Sequence, residues 1–155
     1  MHEEAGDYVW GGARALVALH EQHLRAFVAT WKEARRRGVV LPPTDDPTCV
    51  DLPAVLAHVL RAARGYLVWL CRCLGLPDPG IEPVPEDPES ALDAWLEHLL
   101  ARWALPLRTL DAATAERSVF PSSWGTPYCL DAMLEHAVMH PIRHQHQLQR
   151  AAASC

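Results

Sequence analysis

An all-α fold, a bundle of four helices joined by long proline-rich connections, is what this 155-residue sequence predicts. Apolar residues recur three and four apart over long segments, the spacing that lines one face of a helix. Two stretches, LPPTDDPT (41–48) and LPDPGIEPVPEDP (76–88), are too rich in proline for helix or central strand and separate those segments. No run carries the two-residue alternation of a strand, so no strand is predicted.

The first helix is predicted from Tyr8 to Arg37, with Leu16, Leu19, Leu24, Phe27, Val28 and Trp31 at helical spacing and Arg35 to Arg37 at a C-terminal end that suits cations. The second opens at Asp51, an N-cap residue followed by Pro53 in the first turn, and runs to Leu74 before Gly75. It is apolar almost all round (LPAVLAHVLRAARGYLVWLCRCL), so it should be covered on more than one side, by the bundle or by a second copy. The third follows Pro88 and places Leu92, Leu96, Leu99, Leu100, Trp103, Leu107 and Leu110 on one stripe, with a kink expected at Pro106. DAATAERSVFPSSWGTP (111–127) reads as irregular. The fourth begins at Thr126, with Pro127 at its first position, and ends near Ala151.

Composition bounds the function. Half of the residues are hydrophobic and the length suits one domain, here 1–155. A net charge of −5 with a single arginine run argues against nucleic-acid binding, which needs clustered cations. No window approaches the roughly 18 uncharged apolar residues of a membrane span, so no membrane role is expected. The cysteines (Cys49, Cys71, Cys73, Cys129, Cys155) are odd in number and lack Cys-x-x-Cys spacing, and MHEEAGDYVW has no leader pattern; a reducing, cytoplasmic setting is the expectation.

The chemistry concentrates in LEHAVMHPIRHQHQLQR (134–150). Residues four apart share a helix face, so His140 and His144 can aim their imidazoles at one point. A third ligand must come from another helix, and His58 is the best placed, on a small-residue stripe with Ala54, Ala62 and Gly65. Three neutral imidazoles suit Zn²⁺, Ni²⁺ or Fe²⁺ and leave a coordination position open; if an ion is shared at about 2.1 Å, the nitrogens should lie about 3 to 3.5 Å apart. The competing reading of each histidine is a satisfied core or surface residue. His20, His23, His98 and His146 are read that way, at the surface or behind the ligands, and His136 as a residue one turn back that supports them. Pro141 frees the Ala137 carbonyl, which could accept a hydrogen bond from an imidazole. A di-iron carboxylate bundle and a His-Glu-x-x-His metalloprotease both fail on spacing. Glu135 is turned off the ligand stripe and no Asp lies on it, so no catalytic base is identified. Trp69, Trp124 and Tyr128 are candidates for a pocket wall, although bundle core is the expected place of each.

His58 in LAHVLRAARGYL, an irregular link ending in WGTP, and the last helix LEHAVMHPIRHQHQL together resemble the DinB/YfiT-like superfamily of bacterial metal-binding four-helix bundles. The resemblance spans nearly the whole chain in helix order, while only the histidines and the last-helix motif are specific. It implies a divalent metal on His58, His140 and His144, the same three residues. In the family a further His, then Arg-Gly-Gln, surrounds the last ligand; here those positions are Arg143, Gln145, His146 and Gln147, so only Gln147 keeps the pattern, as a residue that could orient a ligand. The resemblance also implies a homodimer and, for some branches, transfer to or from a low-molecular-weight thiol. A metal-dependent transferase of a small-molecule substrate is therefore the expectation, with a hydrolase or a non-catalytic metal-binding stress protein as the alternatives.

Overall fold

The computed structural model describes residues 8–154; the reading of the first seven residues as leader-free and the fifth cysteine, Cys155, lie outside the described residues. The chain is mostly helical: α1 (Gly11–Arg36), α2 (Leu52–Cys73), α3 (Leu92–Trp103), a 3₁₀ turn (Leu105–Leu107), the short α4 (Ala112–Arg117), a hairpin of β1 (Val119–Pro121) and β2 (Pro127–Cys129), then α5 (Leu130–Ala153).

Helix boundaries follow local chemistry. The Asp51 side chain accepts from the Ala54 N–H at 2.8 Å and starts α2. Gly38 and Gly75, with φ of 66° and 64°, end α1 and α2 in the left-handed conformation that glycine tolerates, and the next residue's N–H reaches back to the carbonyl of Ala34 or Cys71. The third predicted helix is shorter than expected. It stops at Trp103, and Pro106, which has no N–H to continue the ladder, sits in the 3₁₀ turn.

Two further expectations are corrected between 111 and 130. The stretch read as irregular contains α4, capped by Asp111 on the Thr114 N–H at 2.8 Å, and the hairpin. The last helix begins at Leu130 rather than after Thr126, because Pro127 is taken into β2 opposite Pro121. Neither proline has an N–H to donate, so that pair can close the ladder at the turn at no cost in hydrogen bonds.

α5 packs along α1 and α2, and one apolar core joins the elements through Leu24, Phe27 and Trp31 of α1, Leu56, Leu60, Leu67 and Leu70 of α2, Leu99 and Trp103 of α3, and Met133 and Leu148 of α5. The buried indoles are satisfied: Trp31 Nε1 donates to the Leu52 carbonyl at 2.7 Å and Trp103 Nε1 to that of Ala63 at 2.9 Å. By length and composition α2 could cross a membrane, with an 18-residue window of mean hydropathy 1.3, closer to a span than the sequence reading allowed; half of that window is buried inside the molecule. None of the large exposed apolar side chains lies on α2.

Candidate metal centre

α2 and α5 cross so that His58 meets His140 and His144. Four-residue spacing stacks the two α5 histidines on the face turned to α2, where they are 7% and 8% exposed, while His58 is part-exposed at the same level. His58 Nε2 and His140 Nε2 are 3.1 Å apart, a separation at which one ring N–H donates to the other's lone pair. One ligand atom from each of the three rings falls within a span of 4.8 Å. The closest pair thus has the separation expected of co-ligands, and the widest exceeds it, so small ring rotations would be needed to close the triad on one ion.

The donor set fits a cation. Burial, then the neighbouring His144 and His58, push the His140 pKa down to about 3, and burial followed by His144 lowers that of His58. Both rings are therefore neutral, with lone pairs to offer. The His144 Nδ1 lies 2.8 Å from Gln147 Oε1, an acceptor only, so this nitrogen carries the proton and Nε2 is free for the triad. His140 Nδ1 is buried without any partner. The imidazole bond expected at the Ala137 carbonyl is not among those formed, although Pro141 lies inside α5 as read.

A cavity of about 470 Å³ opens from His58 and His140 along the outer face of α2. Its wall follows a helical stripe, Arg61, Ala62, Gly65, Tyr66, Trp69 and Arg72, and the hairpin turn closes it with Ser123 and Trp124. Trp69 is held there by its Nε1, which donates to the Pro121 carbonyl at 2.9 Å, and is wall rather than bundle core. Trp124 is 50% exposed, which removes it from the core as well. Tyr128 stands one layer back, edge-on to Trp124 and His136 at 5.5 and 5.8 Å between ring centroids. His136 makes these ring contacts and an edge contact to Tyr66, and no hydrogen bond to a triad member, so the support expected of it is packing only.

The sequence reading missed three features. Tyr66, its pKa raised to about 12 chiefly by burial, keeps its hydroxyl protonated beside His140 at a ring-centroid distance of 5.9 Å. Asp46 arrives from the proline-rich connection, close enough to His58 that each shifts the other's pKa, and its Oδ1 accepts from the Thr48 N–H and hydroxyl at 2.9 and 2.7 Å. Tyr66 could have been found from its place eight residues after His58; nothing in the sequence signals Asp46. His20, read as surface, is instead 1% exposed and stacked on Trp103 at 3.9 Å. His98 accepts the Glu82 N–H at 3.0 Å, and His146 is exposed beside Gln147.

Cys49, Cys71, Cys73 and Cys129 are free thiols, and none joins the triad. Compared with protein-family models, curated proteins and solved structures, the chain finds no match.

Proposed function

We propose that the protein is a metal-dependent enzyme built as a DinB/YfiT-like four-helix bundle, binding one divalent ion on His58, His140 and His144 and transferring a group to or from a low-molecular-weight thiol. The convergence of three imidazoles from two helices supports this reading most directly. An ion held by His58, His140 and His144 would supply Lewis-acid chemistry, lowering the pKa of a bound water or thiol. The chain's own residues do the rest. Gln147 fixes the His144 tautomer, burial keeps His140 neutral, and Tyr66, its hydroxyl kept protonated by burial, lines the cavity.

The cavity has room for the organic substrate and cosubstrate that a transferase needs. The specific observation behind the hydrolase reading is Asp46, the carboxylate nearest in effect to His58, which could accept a proton there. A homodimer, through the family resemblance, and a cytoplasmic setting, through the cysteine usage, remain part of the proposal; because no large apolar residue of α2 is among the exposed ones, the packing adds nothing to the dimer. Light scattering at micromolar concentration tests it, and a monomeric mass removes it.

Elemental analysis of tag-free protein decides the metal. Stoichiometric Zn, Ni or Fe is expected, and its absence from protein refolded with each ion overturns the reading. Thiol consumption with an activated electrophile then separates the chemistries: turnover that needs no thiol favours the hydrolase and directs attention to Asp46→Asn, and no turnover with any thiol favours a non-catalytic metal protein.

A further inference from the structure

The stripe on α2 does more than line a void. Gly65 is solvent-facing in mid-helix, and a Cβ built there would meet nothing within 4 Å, so no packing contact requires glycine. Mid-helix glycine costs roughly 0.5–1 kcal/mol relative to alanine, and its effect is to leave bare backbone as the cavity floor. Arg61 and Arg72 flank that floor, eleven residues or about 16 Å apart along the axis, within reach of a common ligand through their long side chains. Neither has a carboxylate partner among the described residues, so both guanidinium groups can pair with a ligand. Trp69 and Trp124 supply apolar surface between them, and Tyr66, whose hydroxyl makes no hydrogen bond among the described residues, also lines the cavity.

We propose that this cavity binds a small organic anion, an apolar body carrying a carboxylate, with the body over Gly65 between Trp69 and Trp124 and the carboxylate on Arg72 or Arg61. Guanidinium groups pair with carboxylates bidentately, and the tryptophans accept a flat body without demanding one shape. The proposal shares its cavity with the functional reading above but stands whether or not a metal binds. It assigns the acidic substrate or cosubstrate to the α2 side and leaves the triad end for the reacting group.

The test uses the full chain with chelator present and 2-naphthoate as probe, set against the isosteric neutral 2-naphthamide, by titration calorimetry. The anion should bind at least about tenfold more tightly than the amide, the order contributed by one charge-assisted hydrogen bond. R72Q and R61Q should erase that preference while amide binding is kept. Gly65→Leu, which fills open space with a better helix former and so should fold at least as well by circular dichroism, should abolish binding of both probes. Equal affinity for the two probes, no binding of naphthoate, or naphthoate binding untouched by Gly65→Leu would each overturn the proposal. Because chelator is present throughout, none of these results depends on the triad, and a chain that binds naphthoate but never retains metal would sink the enzyme reading alone.

Discussion

His20 and His140 are both buried, both pushed down to a pKa of about 3 by burial, and both leave ring nitrogens without a hydrogen bond, yet the regions that hold them treat charge in opposite ways. His20 is sealed into the α1–α3 seam against Trp103. Along the outside of that seam the cations of α1 are answered by carboxylates on α3 and its approach: Arg25 with Glu97, Lys32 with Asp93 at 2.6 Å, Arg35 with Glu89 at 3.1 Å. The partners descend in number as the α1 residues ascend, the order of an antiparallel pair. At the α2–α5 site, Arg61, Arg72 and Arg143 have no such partners among the described residues, and three imidazoles lie together beside a cavity. Along the α1–α3 seam cations are paired with carboxylates; where the histidines converge, Arg61, Arg72 and Arg143 have no carboxylate partner among the described residues and stand available to something that is not the chain.

The comparison breaks first if the triad does not hold an ion. His140→Ala is expected to bring metal content down to background in tag-free protein, with helical circular dichroism unchanged, since the ring removed makes only one hydrogen bond, to His58. His20→Ala should leave metal content as it was. Equal loss from both would mean that metal retention reports general integrity and not this site.

A second large effect belongs to the sealed histidine. A neutral His20 with a folded pKa near 3 takes up its proton in the unfolded chain at about 6.5, so its contribution to stability is complete above pH 6.5 and lost as pH falls toward 3. The loss approaches about 1.4 kcal/mol per pH unit in that window. Glu97, Glu33, Asp46 and Asp111, all shifted downward chiefly by hydrogen bonds to their side chains, titrate below the upper half of it. Denaturant unfolding at pH 7, 6 and 5 should therefore show wild type losing stability faster than His20→Phe, which keeps a ring on Trp103 without a titrating nitrogen. Parallel curves would place His20 elsewhere than in the core.

Smaller again is the effect of Gln147, whose carbonyl oxygen lies against the His144 Nδ1. Loss of such an orienting bond lowers metal affinity by about 10- to 100-fold. Gln147→Leu should show that loss in a competition with a chromogenic chelator, and Gln147→Glu, which retains an acceptor, should recover most of it. If both behave like wild type, the tautomer of His144 is set by something other than Gln147.

What could be read in advance follows the range of the interactions. The His140–His144 pair is local, four residues on one helix, and His58 stood out because an apolar helix has few reasons to carry an imidazole. The Pro-rich connections and the α2 N-cap are likewise written in adjacent residues. The core place of His20 is not legible in adjacent residues, because its partner Trp103 is brought to it only by tertiary packing. The hairpin escaped because each strand is three residues long and includes a proline, below the length at which alternation exists to be seen. Asp46 escaped for a related reason: a residue in a proline-rich connection has no periodicity to place it, and only the fold brings it near enough to affect His58.

The smallest expected effect sharpens the contrast most finely. Arg25 reaches both carboxylate oxygens of Glu97, at 2.5 and 3.0 Å, and also Glu21 at 2.8 Å, the best-formed pair on the α1–α3 seam. All three side chains are substantially exposed, so solvent screens the attraction and the ordering of long side chains opposes it. Arg25→Gln should lower the thermal midpoint by a few degrees at most, and molar salt should narrow the gap to wild type. The matching substitution on the other face, Arg72→Gln, removes a cation with no carboxylate to lose and should leave the midpoint where it was. A fall for Arg72→Gln as large as that for Arg25→Gln would show that Arg72 is already engaged in holding the fold, and the division between paired and available charge would no longer describe this molecule.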